Sequence, residues 1–224
     1  IDNVYKSANE LLKILDSTNE YGLVGAEFHK FLKDKQSESQ ALNNKVSSLL
    51  NKLELNGDIH IRYAKQEGMG DSSWFYFKEY VDDKDSLTGR KFSFERIKVQ
   101  PSAMGAWQIY LLKTSNTVLP LFWHGLYDRR KYIFSNENLK NIIGIRGEKL
   151  FKNLDVSGII EQFNLLPEVE VNNDIATVRC CYWNDWKGLV RETVTINFIE
   201  DGKFNIDEDV KTEILYAYDC GICY

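Results

Sequence analysis

The chain has 224 residues, 43% of them hydrophobic, and sets 28 basic residues against 33 acidic ones for a net charge of −5. That length predicts one or two domains with a buried core, and no window approaches the ~18 continuous apolar residues of a membrane span. The acidic balance argues against a protein that coats nucleic acid by bulk electrostatics, and four cysteines confined to the C-terminal end (Cys180, Cys181, Cys220, Cys223) argue against a disulfide scaffold. A cytoplasmic setting is the expectation. No signal peptide is recognisable, and because the sequence starts at Ile1 a removed leader stays open.

In chain order, Asp2 or Asn3 caps a first helix whose Val4, Ala8, Leu11, Leu12 and Leu15 share one face. Tyr21–Val24 reads as a short apolar strand punctuated by Gly22 and Gly25. A second helix from Ala26 to about Lys33 turns Phe28, Phe31 and Leu32 inward, and Asp34–Ser39 is a polar turn. Ser37 and Gln40 have capping-box spacing before a helix predicted over Gln40–Leu55, where Leu42, Val46, Leu49, Leu50 and Leu53 follow the helical period. Its other face carries Asn43, Lys45, Ser47, Asn51 and Lys52, with no acidic residue between Gln40 and Leu53. Asn56-Gly57 ends it. Ile59, Ile61 and Tyr63 then alternate with polar neighbours as in a strand, a loop with Gly68 and Gly70 follows, and a second strand is expected over Trp74–Tyr80.

That order of helix, short strand, helix, turn, helix, strand, wing and strand resembles a winged-helix (helix-turn-helix) domain over roughly the first third of the chain, residues 1–81. The resemblance implies duplex DNA as partner and Gln40–Leu55 as the recognition helix. On that reading Asn43 and Asn51 suit adenine, Lys45 and Lys52 suit guanine or phosphate, Ser47 suits phosphate, and Arg62 and Lys65 on the wing hold the backbone. Between Glu27 and Lys65, seven basic residues face five acidic ones, a slight bias, and Glu67 and Asp71 make the wing tip acidic. The same face is also open to a solvated role, in a unit that binds protein or only packs.

Residues 82–90 are charged and turn-rich and read as a linker or exposed loop before a second domain over 91–224. Lys91–Val99 alternates as a short strand that Pro101 breaks. Ser102 caps a helix through Ser115. Thr117–Trp123 and Lys131–Phe134 read as strands around a His124-Gly125 turn, Ser135 caps a helix through Ile143, and Leu150–Phe163 is a covering helix. Glu168–Val171, Ile175–Trp183, Leu189–Ile199 and Val210–Tyr218 form an antiparallel meander with one buried and one wet face.

His124, Tyr127, Asp128, Arg129 and Arg130 form the most chemically suggestive stretch: an imidazole beside a turn, a carboxylate to orient it and two arginines for an anionic ligand. No nucleophile motif accompanies it, and an aromatic turn explains it as well. Cys220-Gly221-Ile222-Cys223 has zinc or redox spacing, but no second pair follows. Adjacent Cys180 and Cys181 point to opposite faces of a strand, so buried inert thiols and no metal are expected. Trp183 and Trp186 sit at a hairpin tip, either as a docking surface or as the cap of the sheet core. No phosphate-loop or other cofactor motif is present. Together these readings give an α+β chain, an N-terminal winged-helix-like domain followed by an antiparallel β-sheet with covering helices. The first functional expectation is a DNA-binding, regulator-like protein with a C-terminal domain for oligomerisation or sensing. The alternatives are a non-enzymatic protein-interaction module and a ligand binder or enzyme centred on His124 and Arg129.

Overall fold

The computed structural model describes residues 20–33, 48–55, 59–66, 72–79, 94–115, 130–146 and 154–221. The predicted first helix and most of the helix before Leu49 lie outside them. Helix α1 (Glu20–Lys33) is continuous, so Tyr21–Val24 is helical and not the expected strand. The reason lies in packing. A Cβ on Gly25 would stand 2.7 Å from the Phe134 ring and 3.1 Å from Trp107, so glycine here admits a close crossing instead of breaking the chain. Tyr21 meets Trp107 edge-on at 6.2 Å in the same contact.

The helix predicted over Gln40–Leu55 stops earlier than its periodicity suggested. It ends at Leu49, a turn follows, and Leu53–Leu55 is strand β1. Leu53 and Leu55 satisfy a two-residue period as well as a helical one, and a tertiary partner decides between them. That partner is β4 (Ile97–Val99), antiparallel with Leu53 opposite Val99 and Leu55 opposite Ile97. Strands β2 (Ile59–Gln66) and β3 (Ser72–Glu79) form an antiparallel hairpin in unbroken register from Ile59 opposite Glu79 to Gln66 opposite Ser72. Phe94–Arg96, expected as strand, is a single 3-10 turn leading into β4.

Helix α2 (Ala103–Ser115) begins where Ser102 Oγ accepts the Gly105 amide at 3.0 Å. Every residue from Gly105 to Leu112 is buried, so this helix is covered all round. After β5 (Lys131–Ile133), helix α3 (Asn136–Arg146) opens on a reciprocal cap: Asn138 N donates to Ser135 Oγ while Phe134 N donates to Asn138 Oδ1, both at 3.1 Å. Helix α4 (Val156–Gln162) is capped by Asp155, well inside the predicted Leu150–Phe163.

The meander is built on two long strands, β7 (Ile175–Asn184) and β8 (Gly188–Phe198). The outer side of β7 pairs first with β6 (Glu168–Asn172) and then with β5. The outer side of β8 pairs with β10 (Lys211–Ala217) and then with β9 (Phe204–Ile206), a short strand the sequence did not suggest. All these pairings are antiparallel. Ala176, Val178, Cys180 and Tyr182 of β7 join Val190, Val194, Ile196 and Phe198 of β8 in one core with α2, which also takes in Leu50 and draws on Tyr21, Val24, Leu49 and Leu53. Cys181, Trp183 and Leu189 point the other way, into a second core with Leu139 and Ile143 of α3 and Ile159 of α4. At this end both sheet faces are therefore covered, where one wet face was expected.

Candidate functional site

Asn43, Lys45 and Ser47 lie outside the described residues. Asn51 and Lys52 occupy the turn after the helix, and that turn is held by Gln108 of α2, a polar side chain only 1% exposed. Gln108 Nε2 donates to Leu49 O at 3.3 Å and to Asn51 Oδ1 at 3.1 Å, and Lys52 N donates to Gln108 Oε1 at 2.8 Å. A single amide thus takes a carbonyl at the helix end and the turn's N–H, groups that a helix terminus leaves without internal partners. Arg62 stands opposite Tyr76 and Lys65 opposite Ser73 in the hairpin. Gln108 carries a signal that sequence reading passed over, a lone amide within the apolar run Ala106–Leu112, since a buried amide demands partners.

Of the second predicted group, His124, Tyr127, Asp128 and Arg129 lie outside the described residues, while Arg130 sits at the rim of a buried polar cluster. Its Nη1 meets Glu192 Oε2 at 2.6 Å, and its guanidinium lies over the Tyr182 ring at 5.1 Å. Glu192, only 1% exposed, takes Tyr110 Oη on its other oxygen at 2.5 Å. Sequence reading missed both partners because they come from distant elements, α2 and β8. Burial, with Cys180, Tyr132 and Glu192 nearby, pushes the Tyr110 hydroxyl well above the usual tyrosine range. Burial does the same to Tyr132 and to the Cys180 thiol. Burial would lower Arg130, but Tyr132 and Glu192 outweigh it and hold the guanidinium firmly charged. Partial burial lowers Lys113 of α2, against the pull of Glu192. Both carboxylate oxygens of Glu192 are engaged, so the arrangement suits holding α2, β5 and β8 together more than proton transfer.

At the same end of β5, the next residue, Lys131, pairs through Nζ with Asp185 Oδ1 at 2.5 Å, and that oxygen also accepts Trp183 Nε1 at 3.0 Å. Cys220 N donates to Asp185 O, bringing the C-terminal segment against the β7–β8 turn. Trp183 is fully buried and stacks obliquely on Tyr218, so of the two roles open to it the sheet cap is the one realised, while Trp186 is half-buried. Cys180 and Cys181 face opposite cores, as alternation requires, and burial raises both thiols. No group of three metal-ligating side chains occurs among the described residues, and Cys223 lies outside them. Likewise no described helix is long and apolar enough to cross a membrane. No protein-family model, no curated protein and no solved structure matches the chain.

Proposed function

We propose that the chain is a DNA-binding, regulator-like protein in which residues 1–81 act as a winged-helix-like unit and the sheet-bearing remainder serves oligomerisation or sensing. The observation that supports this most is the β2–β3 hairpin, two eight-residue strands in continuous register that follow closely on a helix end and carry Arg62 and Lys65. A paired ribbon beside a helix is the form in which a wing reaches the phosphate backbone while the helix enters the major groove. Asn43, Lys45 and Ser47 on the helix, with Arg62 and Lys65 on the hairpin, are the contacts this reading relies on most. Asn51 and Lys52 belong to it only through the turn that Gln108 holds.

A second reading, a non-enzymatic module that uses this unit to bind protein, draws support from the Gln108 contacts, which tie the helix end to α2. Fluorescence anisotropy with a mixed-sequence duplex separates the two. Binding at low salt that falls steeply as salt rises supports the DNA reading, whereas no binding even at low salt overturns it and leaves the protein-binding one.

A further inference from the structure

Strand β10 hydrogen-bonds to β8 on one side, and among the described residues nothing pairs with its other side. Lys211, Thr212, Glu213 and Ile214 are all exposed, Ile214 by 56%. An open edge of this kind is a template for another strand, and proteins that stay monomeric blunt it with charge or a bulge. Here the register slips only after Ile214, which leaves Lys211–Ile214 straight.

We propose that this edge docks a second copy of the chain, antiparallel, about a two-fold axis at Thr212. The charges argue for a copy over any other strand. Lys211 and Glu213 are two residues apart and so share a sheet face, Lys211 opposite Thr193 and Glu213 opposite Arg191. Antiparallel pairing about Thr212 sets Lys211 opposite the partner's Glu213, and symmetry repeats the pair. A row running across the junction then reads Arg191, Glu213, the partner's Lys211, with signs alternating at each step. On the opposite face Thr212 meets the partner's Thr212, and exposed Ile214 meets the partner's Val210. Pairing about Ile214 instead would run the bulge into the junction and leave Lys211 opposite the partner's Ala217. This inference deepens the oligomerisation part of the reading above and stands whether or not the chain binds DNA.

Sedimentation equilibrium on the whole chain, without DNA, tests it. The expected result is a concentration-dependent monomer–dimer equilibrium. Lys211→Glu and Glu213→Lys should each raise the dimer Kd about tenfold, because each sets two like-charged pairs across the junction. Mixing the two variants makes both pairs attractive again and should return the Kd to within about threefold of the unaltered chain. Ile214→Asp, on the other face of the same edge, should also weaken the dimer. A chain that stays monomeric at every concentration overturns the proposal, as does a dimer indifferent to both charge reversals or a mixture no tighter than its components. Far-UV circular dichroism confirms folding, and all three substituted positions are exposed.

Discussion

Glu192 shows how a charged residue is kept inside this protein. Its carboxylate has one partner on each oxygen, Tyr110 and Arg130, and the aromatic rings of Tyr132 and Tyr182 surround the pair. Removing the cation strands the anion, so Arg130→Met should lower unfolding stability by roughly 3 kcal/mol, somewhat less if water enters beside the half-exposed arginine. Glu192→Gln should cost less, and urea denaturation of both decides it. A loss for Arg130→Met no greater than that of an ordinary surface change would show the pair to be unimportant. The cluster also sets an alkaline limit. Burial raises Tyr110, Tyr132 and Cys180 above ordinary values of 10.0, 10.0 and 9.0. Above those values the unfolded chain releases protons that the folded one retains, so stability is fully present below about pH 9 and falls as pH rises further. Denaturant midpoints between pH 8 and 11 should therefore decline, and a flat profile contradicts the burial of these groups. The sequence offered Arg130 as one of two arginines for an anionic ligand, and the structure pairs it with a carboxylate of the chain itself. That partner was not legible, because Glu192 lies sixty-two residues further along the chain.

At the scale of elements, the serine caps and the β7–β8 turn signal were reliable, while glycine as punctuation was not: Gly22 and Gly25 lie inside α1, and the helix read as ending at Asn56-Gly57 stops at Leu49. Ser102, Ser135 and the β7–β8 turn did what their residue types imply. The turn closes on Gly188, which has φ 86° and whose added Cβ would stand 2.1 Å from Tyr216 O. Gly188→Ala should cost more than about 2 kcal/mol, since both strain and a backbone clash oppose it. A change in urea midpoint corresponding to under about 0.5 kcal/mol would count against this geometry. Gln108→Leu keeps the volume and removes the amide from the helix end, so a loss of about 2 kcal/mol is expected. Hydrogen exchange gives the sharper reading: the Lys52 amide should lose protection while those of β7 and β8 keep theirs. Equal protection before and after the substitution would mean that the turn holds itself.

Across the whole molecule, residues from both predicted domains contribute to one core, for Leu50 and the β1–β4 pair join α2 and the sheet. The DNA reading makes its prediction at this scale, because affinity through phosphates sums over a surface. Lys45→Glu should weaken binding to any duplex and reduce the salt slope by about one phosphate contact or more; unchanged affinity and slope would remove that helix from the interface. The sequence by itself determined an α and β chain, the antiparallel meander at its C-terminal end, the caps of α2 and α3 and the opposite facing of Cys180 and Cys181. Each follows from side-chain period or from bonds between residues a few positions apart. Only the tertiary structure decided that Tyr21–Val24 is helical, that Leu53–Leu55 is a strand, that Trp183 is interior, and that Gln108 and Glu192 carry the polar joints. Those outcomes depend on a partner far away in the chain, a Phe134 ring that fits only glycine or a free edge at Ile97–Val99, and no local pattern encodes which distant surface arrives.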